Sequence, residues 1–477
     1  MFTGHKVVAI DPMGKTVKVE NLLTGEQFSE AYDKLIIATG AQSFRLPFDD
    51  GSRSNVLNLR NVMSADRIRQ QVLENKPQRA VIVGSGFIGL EMAENLTARG
   101  IQVSVVEVAE HIMPALDQDM AVYVSDYLCQ QGVELVTQDA VIQFEGTPRV
   151  QKVILKSGRE LTADLVIIAA GVKPNVELAR QAGVLLGPTG AIQVNTKMQT
   201  NIPDLYACGD CAESYSLITG KPFYRPLGST ANKMGRIAGD QCTGGDLEFR
   251  GGLGTGIFKV FDLAVGMTGL TEKEARQEGY KPVVCHITKP DRPEYYHGQE
   301  MVIKAVADQE TGKILGAQVI GKAGVDKRLD VVITAMTFGA KADDLFHLDL
   351  AYAPPFSTTK DPVMYVGMVL TNALQRERRL ITVDELKVKQ EQGKPIQIID
   401  ARIKSQYEAG HIAGARNIPH EQLRENLASI DKEALTVTYC NKGVTGNAVQ
   451  NILLNNDFKQ VYNLSGGYKQ FDKQAEK

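Results

Sequence analysis

The 477-residue sequence lacks a strong excess of either charge: 53 Lys plus Arg stand against 56 Asp plus Glu, a formal net charge of −3. No basic field for nucleic acid or an anionic membrane is expected from that balance. Long apolar runs are also missing. None approaches the ~18 residues that begin to make a transmembrane helix, and the opening MFTGHKVVAID lacks the apolar core of a signal peptide. A cytoplasmic protein is expected. Cysteine is scarce, with six residues (129, 208, 211, 242, 285 and 440). They are too scattered for a disulfide framework, so each is weighed as a thiol. Repeats and low-complexity segments are absent. What is present is an ordinary soluble composition, 43% hydrophobic and 23% charged, in a chain long enough for about three domains.

The residues from 80 onward, AVIVGSGFIGLEMAENLTARGIQVSVVEV, read as a buried strand, a glycine turn, a helix closed by Gly100 and a second strand, one βαβ unit. Gly84, Gly86 and Gly89 form G-x-G-x-x-G in the context that gives the pattern meaning. Gly84 permits the tight turn, Gly86 lets a pyrophosphate approach the backbone, and Gly89 packs helix on strand. Glu107 ends the second strand, roughly 20 residues on, where an acid accepts hydrogen bonds from both ribose hydroxyls of NAD. Because a 2′-phosphate would meet that charge and no Arg follows closely, NADH is expected over NADPH. GGLGTG at 251–256 opens a strand, not a helix, and is read as a turn. Before the βαβ unit, VVAID and TVKVE read as strands around Pro12 and Gly14, followed by a strand-like KLIIATG ending at Gly40. After residue 246 come longer alternating strands such as KILGAQVIG and a helix from Asp326 to Phe338, an α+β pattern. QRERRL at 375–380 reads as a linker into a further α/β unit. Cys129, Cys242 and Cys285 are expected to be buried fillers. Cys208 and Cys211 make C-x-x-C, a spacing that in isolation suggests a redox pair.

YDKLIIATGA (32–41), the glycine turn, AAGVKPN (169–175) and TNIPDLYACGD (200–210) fall in an order that resembles the flavin-dependent pyridine nucleotide-disulfide reductases. The resemblance implies that Thr39, Gly40, Gly209 and Asp210 line FAD, with Asp210 on the ribityl chain. It also implies that Gly171 belongs to the nucleotide site, and that the helix after PLGSTANKMGR points its N-terminus at the flavin ring. The Cys208–Cys211 segment is then committed to flavin. GVDKRLDVVITAM and LAYAPPFSTTKDPV narrow the resemblance to the coenzyme A-disulfide, polysulfide and persulfide reductases. There the third domain dimerises, and Tyr352 and Tyr295 would supply phenols able to protonate a leaving thiolate. In that family the FAD fold opens with its own strand, glycine turn and helix. MFTGHKVVAID is similar to a strand downstream of it. The implied first unit and flavin-facing redox cysteine precede the sequence, and weakened FAD binding is expected.

IIDARIKSQYEAGHIAGARNIP (398–419) and YCNKGVTGNAVQNILL (439–454) resemble a rhodanese domain. Cys440 ends a strand before a short loop containing Gly443 and then a helix, whose dipole and loop amides favour a thiolate or persulfide. Lys442 adds positive charge and Thr445 a hydroxyl. By resemblance Asp400, Arg402 and Glu408 brace the loop. With Asn441 and Lys442 where many rhodaneses carry Arg, thiosulfate is a poorly matched donor.

The combined expectation is an α/β protein with doubly wound FAD and NAD(P) domains. The FAD domain (1–78 and 171–247) is incomplete, the NADH domain spans 79–170, an α+β dimerisation domain 248–376 and a rhodanese-like domain 381–477. Function is expected as NADH-dependent, flavin-mediated reduction of coenzyme A disulfide, coenzyme A persulfide or polysulfide in a homodimer, without a metal, with Cys440 carrying sulfur. The alternatives are a sulfur carrier with a non-catalytic reductase scaffold and an NADH oxidase of the same superfamily.

Overall fold

The computed structural model describes residues 2–393 and 395–475. Met1, Lys394, Glu476 and Lys477, which fall in the expected 1–78 and 381–477 segments, lie outside the described residues. By compactness the chain divides into two units: residues up to 89 with 140–254, and residues 90–139 with 255–477. The division falls inside the helix Phe87–Thr97, so it cuts across the expected NADH segment.

In the first unit, three antiparallel strands open the chain (His5–Asp11, Thr16–Asn21 and Gln27–Ala31). The third escaped the sequence reading because every one of its residues is exposed, which leaves no apolar alternation to read. The strand expected through Gly40 is shorter, Leu35–Ile37, and pairs in parallel with Leu205–Ala207. Ala41–Ser43 then pairs antiparallel with Val172–Pro174. Leu165–Ile168 lies between Val56–Asn58 and Arg79–Val83, all parallel. Its four residues are buried, as expected of a strand covered on both faces.

The second unit contains the parallel pair Gln102–Val106 and Glu134–Val136 with the helix Gln118–Gln130 between them. A five-stranded antiparallel sheet follows, in the order Gly256–Val260, Leu263–Gly269, Ile314–Gly321, Glu300–Asp308, Pro282–Pro290. The alternation expected for KILGAQVIG is corrected here: Ile314–Gly321 is buried at every position, because helices pack on it, among them Gln118–Gln130 and Val325–Thr337. The C-terminal sheet is wholly parallel, ordered Leu380–Ile381, Val461–Leu464, Leu435–Tyr439, Ile396–Asp400, Ala415–Asn417. Strands running in parallel need crossover connections, and the helices Val383–Glu391, Lys404–Ala409 and Val444–Leu454 lie in them. The first of these carries a capping box, with Thr382 accepting from the Glu385 amide and Glu385 from the Thr382 amide.

One buried charge cluster ties the second unit together. Lys304, 1% exposed, lies 2.8 Å from Asp119, 3.1 Å from Asp117 and 3.0 Å from Glu272. Asp119 also meets His286 Nε2 at 2.8 Å, and His286 Nδ1 is 2.9 Å from Ser465 Oγ in the C-terminal sheet region. Gln470 of the C-terminal helix donates to the Asp119 carbonyl at 3.0 Å. A buried cation of this kind is tolerated only when paired and hydrogen-bonded.

Candidate functional site

Close packing fixes the glycine turn at 84–89. A Cβ on Gly89 would lie 2.1 Å from the Gly84 carbonyl oxygen, and one on Gly84 2.6 Å from the Ala169 carbonyl, whereas one on Gly86 would meet nothing within 4 Å. Helix and strand are thus sealed at the outer two glycines, while the backbone at Gly86 is open to a ligand. That is the cradle a dinucleotide pyrophosphate requires, so these residues fit NAD(P)H. Glu107 is buried, and its carboxylate accepts the Ala109 amide hydrogen at 3.0 Å.

The flavin-lining expectations converge in the first unit. The Thr39 hydroxyl donates to the Asn175 carbonyl at 2.6 Å and the Asn175 amide to the Thr39 carbonyl at 2.9 Å. This stitches Thr39 and Gly40 to the segment that carries Gly171. Cys208 donates its amide to the Ile37 carbonyl at 3.1 Å, which brings Gly209 and Asp210 to the same strand ends. Space in front of Gly40 and Gly171 is open to 4 Å. The Asp210 carboxylate takes an ion pair with Arg60 at 2.6 Å, and Tyr224 donates to the Asp210 carbonyl at 2.8 Å. A carboxylate acceptor and open glycine backbone at these strand ends are groups a ribityl chain can use, so these residues fit that part of FAD. Arg60 was missed, since nothing in NLRN marks an arginine whose partner lies 150 residues away.

The thiols sort themselves by environment. Burial pushes the Cys208 thiol up to about 11, with Cys211 adding to the shift. The Cys211 thiol, itself buried, donates to the carbonyls of Cys208 and Ile37, which is the arrangement of packed thiols rather than an activated pair. Cys285 is fully buried, its thiol pushed up to about 12, and Cys242 is half-buried. Cys129 corrects the expectation of a buried filler: it is exposed, on the solvent side of the helix Gln118–Gln130, whose inward positions are Val124, Ser125 and Leu128.

Cys440 sits at the end of Leu435–Tyr439, with Gly443 at positive φ before the helix Val444–Leu454. The loop is held from several sides. The amides of Tyr468 and Lys469 donate to the carbonyls of Cys440 (2.8 Å) and Asn441 (3.0 Å). That approach is possible because residue 467 is glycine with φ +65°: a Cβ there would lie 2.3 Å from the Cys440 carbonyl oxygen. Asn463 donates to the Gly443 carbonyl at 3.0 Å. Arg402 and Asp400 form a buried pair at 2.6 Å, and Arg402 further donates to the Gly410 carbonyl at 2.6 Å and to Asn441 at 3.4 Å. Its guanidinium also lies 4.1 Å from the Tyr468 ring centre. Arg402, paired with Asp400, is thus the residue of this pair that reaches the loop, at Asn441. Glu408 does not join them: it is exposed and pairs with Lys404 at 3.6 Å, because the short helix Lys404–Ala409 turns it outward. Thr445 is half-buried in the first helical turn. Lys442 forms an ion pair with Glu300 of the antiparallel sheet.

Tyr295 and Tyr352 are both exposed, and Tyr295 packs on Tyr296 with ring centres 5.0 Å apart. Their segments meet through Arg292, which donates to the Pro355 carbonyl at 3.4 Å. Buried Arg328 joins them too, donating to the Asp291 carbonyl at 2.7 Å and pairing with Asp361 at 2.9 Å. Arg328 was also missed; within DKRLD it reads as one more charge of an exposed face.

No described helix is long and apolar enough to cross a membrane. Residues 1–225 match the pyridine nucleotide-disulphide oxidoreductase family, 256–362 its dimerisation domain and 382–474 the rhodanese-like domain. A CoA-dependent NAD(P)H sulfur oxidoreductase of Pyrococcus furiosus is 42% identical over 354 residues, 72% of this chain and 78% of the relative. The crystal structure of reduced Bacillus anthracis CoADR-RHD matches with a TM-score of 0.95 at 37% identity, covering 98% of this chain and 84% of that one. A NAD-dependent persulfide reductase from A. fulgidus matches at 0.89 and 36%, with the same coverage. Three matched regions in series, with like-ordered relatives above a third identical, decide the assignment: the chain belongs to the FAD- and NAD(P)H-dependent pyridine nucleotide-disulphide oxidoreductase family, in the form that carries a C-terminal rhodanese-like domain.

Proposed function

We propose that this chain couples NADH-dependent reduction of sulfur held on coenzyme A, as persulfide or disulfide, or of polysulfide, to a sulfur carrier at Cys440. The observation that carries the reading is the Cys440 loop, a strand-end thiol under a helix N-terminus, braced by Arg402 in its pair with Asp400, in one polypeptide with the open Gly86 backbone. The Cys440 thiolate attacks the outer sulfur of a donor; the donor S–S bond breaks, its thiolate leaves, and a persulfide forms on Cys440. Reduction then balances as coenzyme A persulfide plus NADH and a proton giving coenzyme A, hydrogen sulfide and NAD⁺. FAD, when bound, supplies the relay for the electron pair between nicotinamide and sulfur. The chain's own residues do the rest. The turn at 84–89 receives the pyrophosphate and Glu107 the ribose hydroxyls; Thr39, Gly40, Gly209 and Asp210 hold the ribityl side of the flavin. Tyr352 and Tyr295 protonate the departing thiolate. We assign the protein to the cytoplasm as a homodimer through its dimerisation domain.

Incubation with coenzyme A persulfide should leave the Cys440 peptide heavier by one sulfur atom, and NADH should then clear that sulfur as sulfide. A Cys440 peptide that never gains sulfur from any donor contradicts the reading. Glu107→Ala should narrow the preference for NADH over NADPH by about tenfold, since it removes an anion facing the 2′-position and one charged hydrogen-bond acceptor. Kd values for the two nucleotides measure it.

A further inference from the structure

We propose that Glu300, on the antiparallel sheet, sets the charge of the Cys440 loop and so tunes which donors it accepts. This rests on the reading of Cys440 as a sulfur carrier. Glu300 opens the strand Glu300–Asp308. Its two carboxylate oxygens are divided between two lysines: Oε1 takes Lys442, two residues after Cys440, and Oε2 takes Lys469. Lys469 is no bystander to the loop, for its amide donates to the Asn441 carbonyl at 3.0 Å. One acid from another domain thus holds both lysines that the loop and its supporting helix place there. Lys442 also lines a cavity of about 120 Å³ together with Lys289, Arg378 and Asn447.

The physical consequence is a partial cancellation. With Glu300 in place, two ammonium charges beside the loop count as one, and Lys442 is turned toward the sheet. Removing the carboxylate leaves both charges uncompensated. Each of the three side chains is between a third and two-fifths exposed, so these contacts add little to stability, while their charge still acts on an approaching ligand over a distance comparable to the Debye length. Glu300 is a specificity-determining residue acting through Lys442; it touches neither Cys440 nor a donor.

The test compares alkylation of Cys440 by iodoacetate, an anion, and by iodoacetamide, its neutral counterpart, read on the Cys440 peptide so that exposed Cys129 does not interfere. In Glu300→Gln the ratio of the two rates should rise about threefold at low ionic strength, and the rise should shrink in ~0.5 M salt. Lys442→Gln should lower the ratio more in the Glu300→Gln background than in the wild type, the non-additivity of a coupled pair. A merely structural role would move both rates together and leave the ratio fixed. Glu300→Ser repeats the measurement with a second side chain. An unchanged ratio in both variants overturns the assignment, as does a rise that Lys442→Gln does not reverse. Sulfur uptake by wild-type Cys440, followed in parallel, separates this failure from a failure of the carrier reading, which alone abolishes uptake.

Discussion

Cys440→Ser should reduce sulfur transfer from polysulfide to cyanide to the uncatalysed background, a fall on the order of 10³-fold or more. The chemistry needs a soft nucleophile that forms and breaks S–S bonds. A serine hydroxyl titrates far above a thiol, and no S–S bond can form on it. The variant should nevertheless fold. Cys440 is buried at the strand end, yet the hydrogen bonds described above that hold its loop run through carbonyls and through Arg402, Asn463, Tyr468 and Lys469 rather than through the sulfur. An unchanged Tm, within what about 0.5 kcal/mol would produce, together with lost thiocyanate formation, is the expected pair of results. Retained thiocyanate formation would move the carrier to another cysteine. Cys129, the exposed one, would then be examined first.

Lys304→Met should cost about 3–5 kcal/mol and lower the apparent Tm by roughly 10 °C. Three carboxylates, of Asp117, Asp119 and Glu272, face this one buried ammonium, and methionine leaves them opposed to one another, with His286 beside Asp119 and Arg276 beside Glu272 as the remaining basic partners. The pH dependence carries the sign. Burial alone would raise Asp119 and Glu272. Lys304 outweighs it, helped by His286 at Asp119 and by Arg276 at Glu272, and holds both carboxyls below their ordinary range. Their contribution to stability is therefore complete above the unfolded values near ~4 and is lost as pH falls through the depressed folded values. In Lys304→Met the balance reverses: burial and mutual repulsion lift the carboxyls, so mild acidification from pH 8 toward pH 5 should raise the variant's Tm. Melting curves across that range measure it, and a variant profile parallel to the wild type would show that the lysine does not control the cluster.

The same cluster marks what the sequence conceals. Gly84, Gly86 and Gly89 were legible because a tight strand-to-helix turn imposes its glycines within six residues, and the Cys440 loop was legible for a similar local reason. Lys304 and Asp119 are 185 residues apart, and nothing in MVIKAVAD announces that the lysine is inside. The exposed strand Gln27–Ala31 and the doubly covered Ile314–Gly321 both lose the alternation that marks a half-buried strand, one by having no buried face and the other no exposed one. Glu408 followed the family's pattern in sequence, yet it points to solvent; Arg402, two residues after Asp400, does the bracing. Glu300 had no signal at all, since its meaning lies in two lysines 142 and 169 residues away. Gly466–Gly467 offered one that went unused: consecutive glycines before a helix mark a close backbone approach, here to Cys440.

Anaerobic titration of the purified chain, supplied with FAD, by coenzyme A persulfide in the presence of NADH addresses the central claim directly. Consumption of one NADH for each sulfide released, with coenzyme A as the other product, is the predicted outcome. Sulfur that reaches cyanide by way of Cys440 while NADH stays intact with persulfide, disulfide and polysulfide alike would contradict it, and would leave the chain a carrier without a reductase.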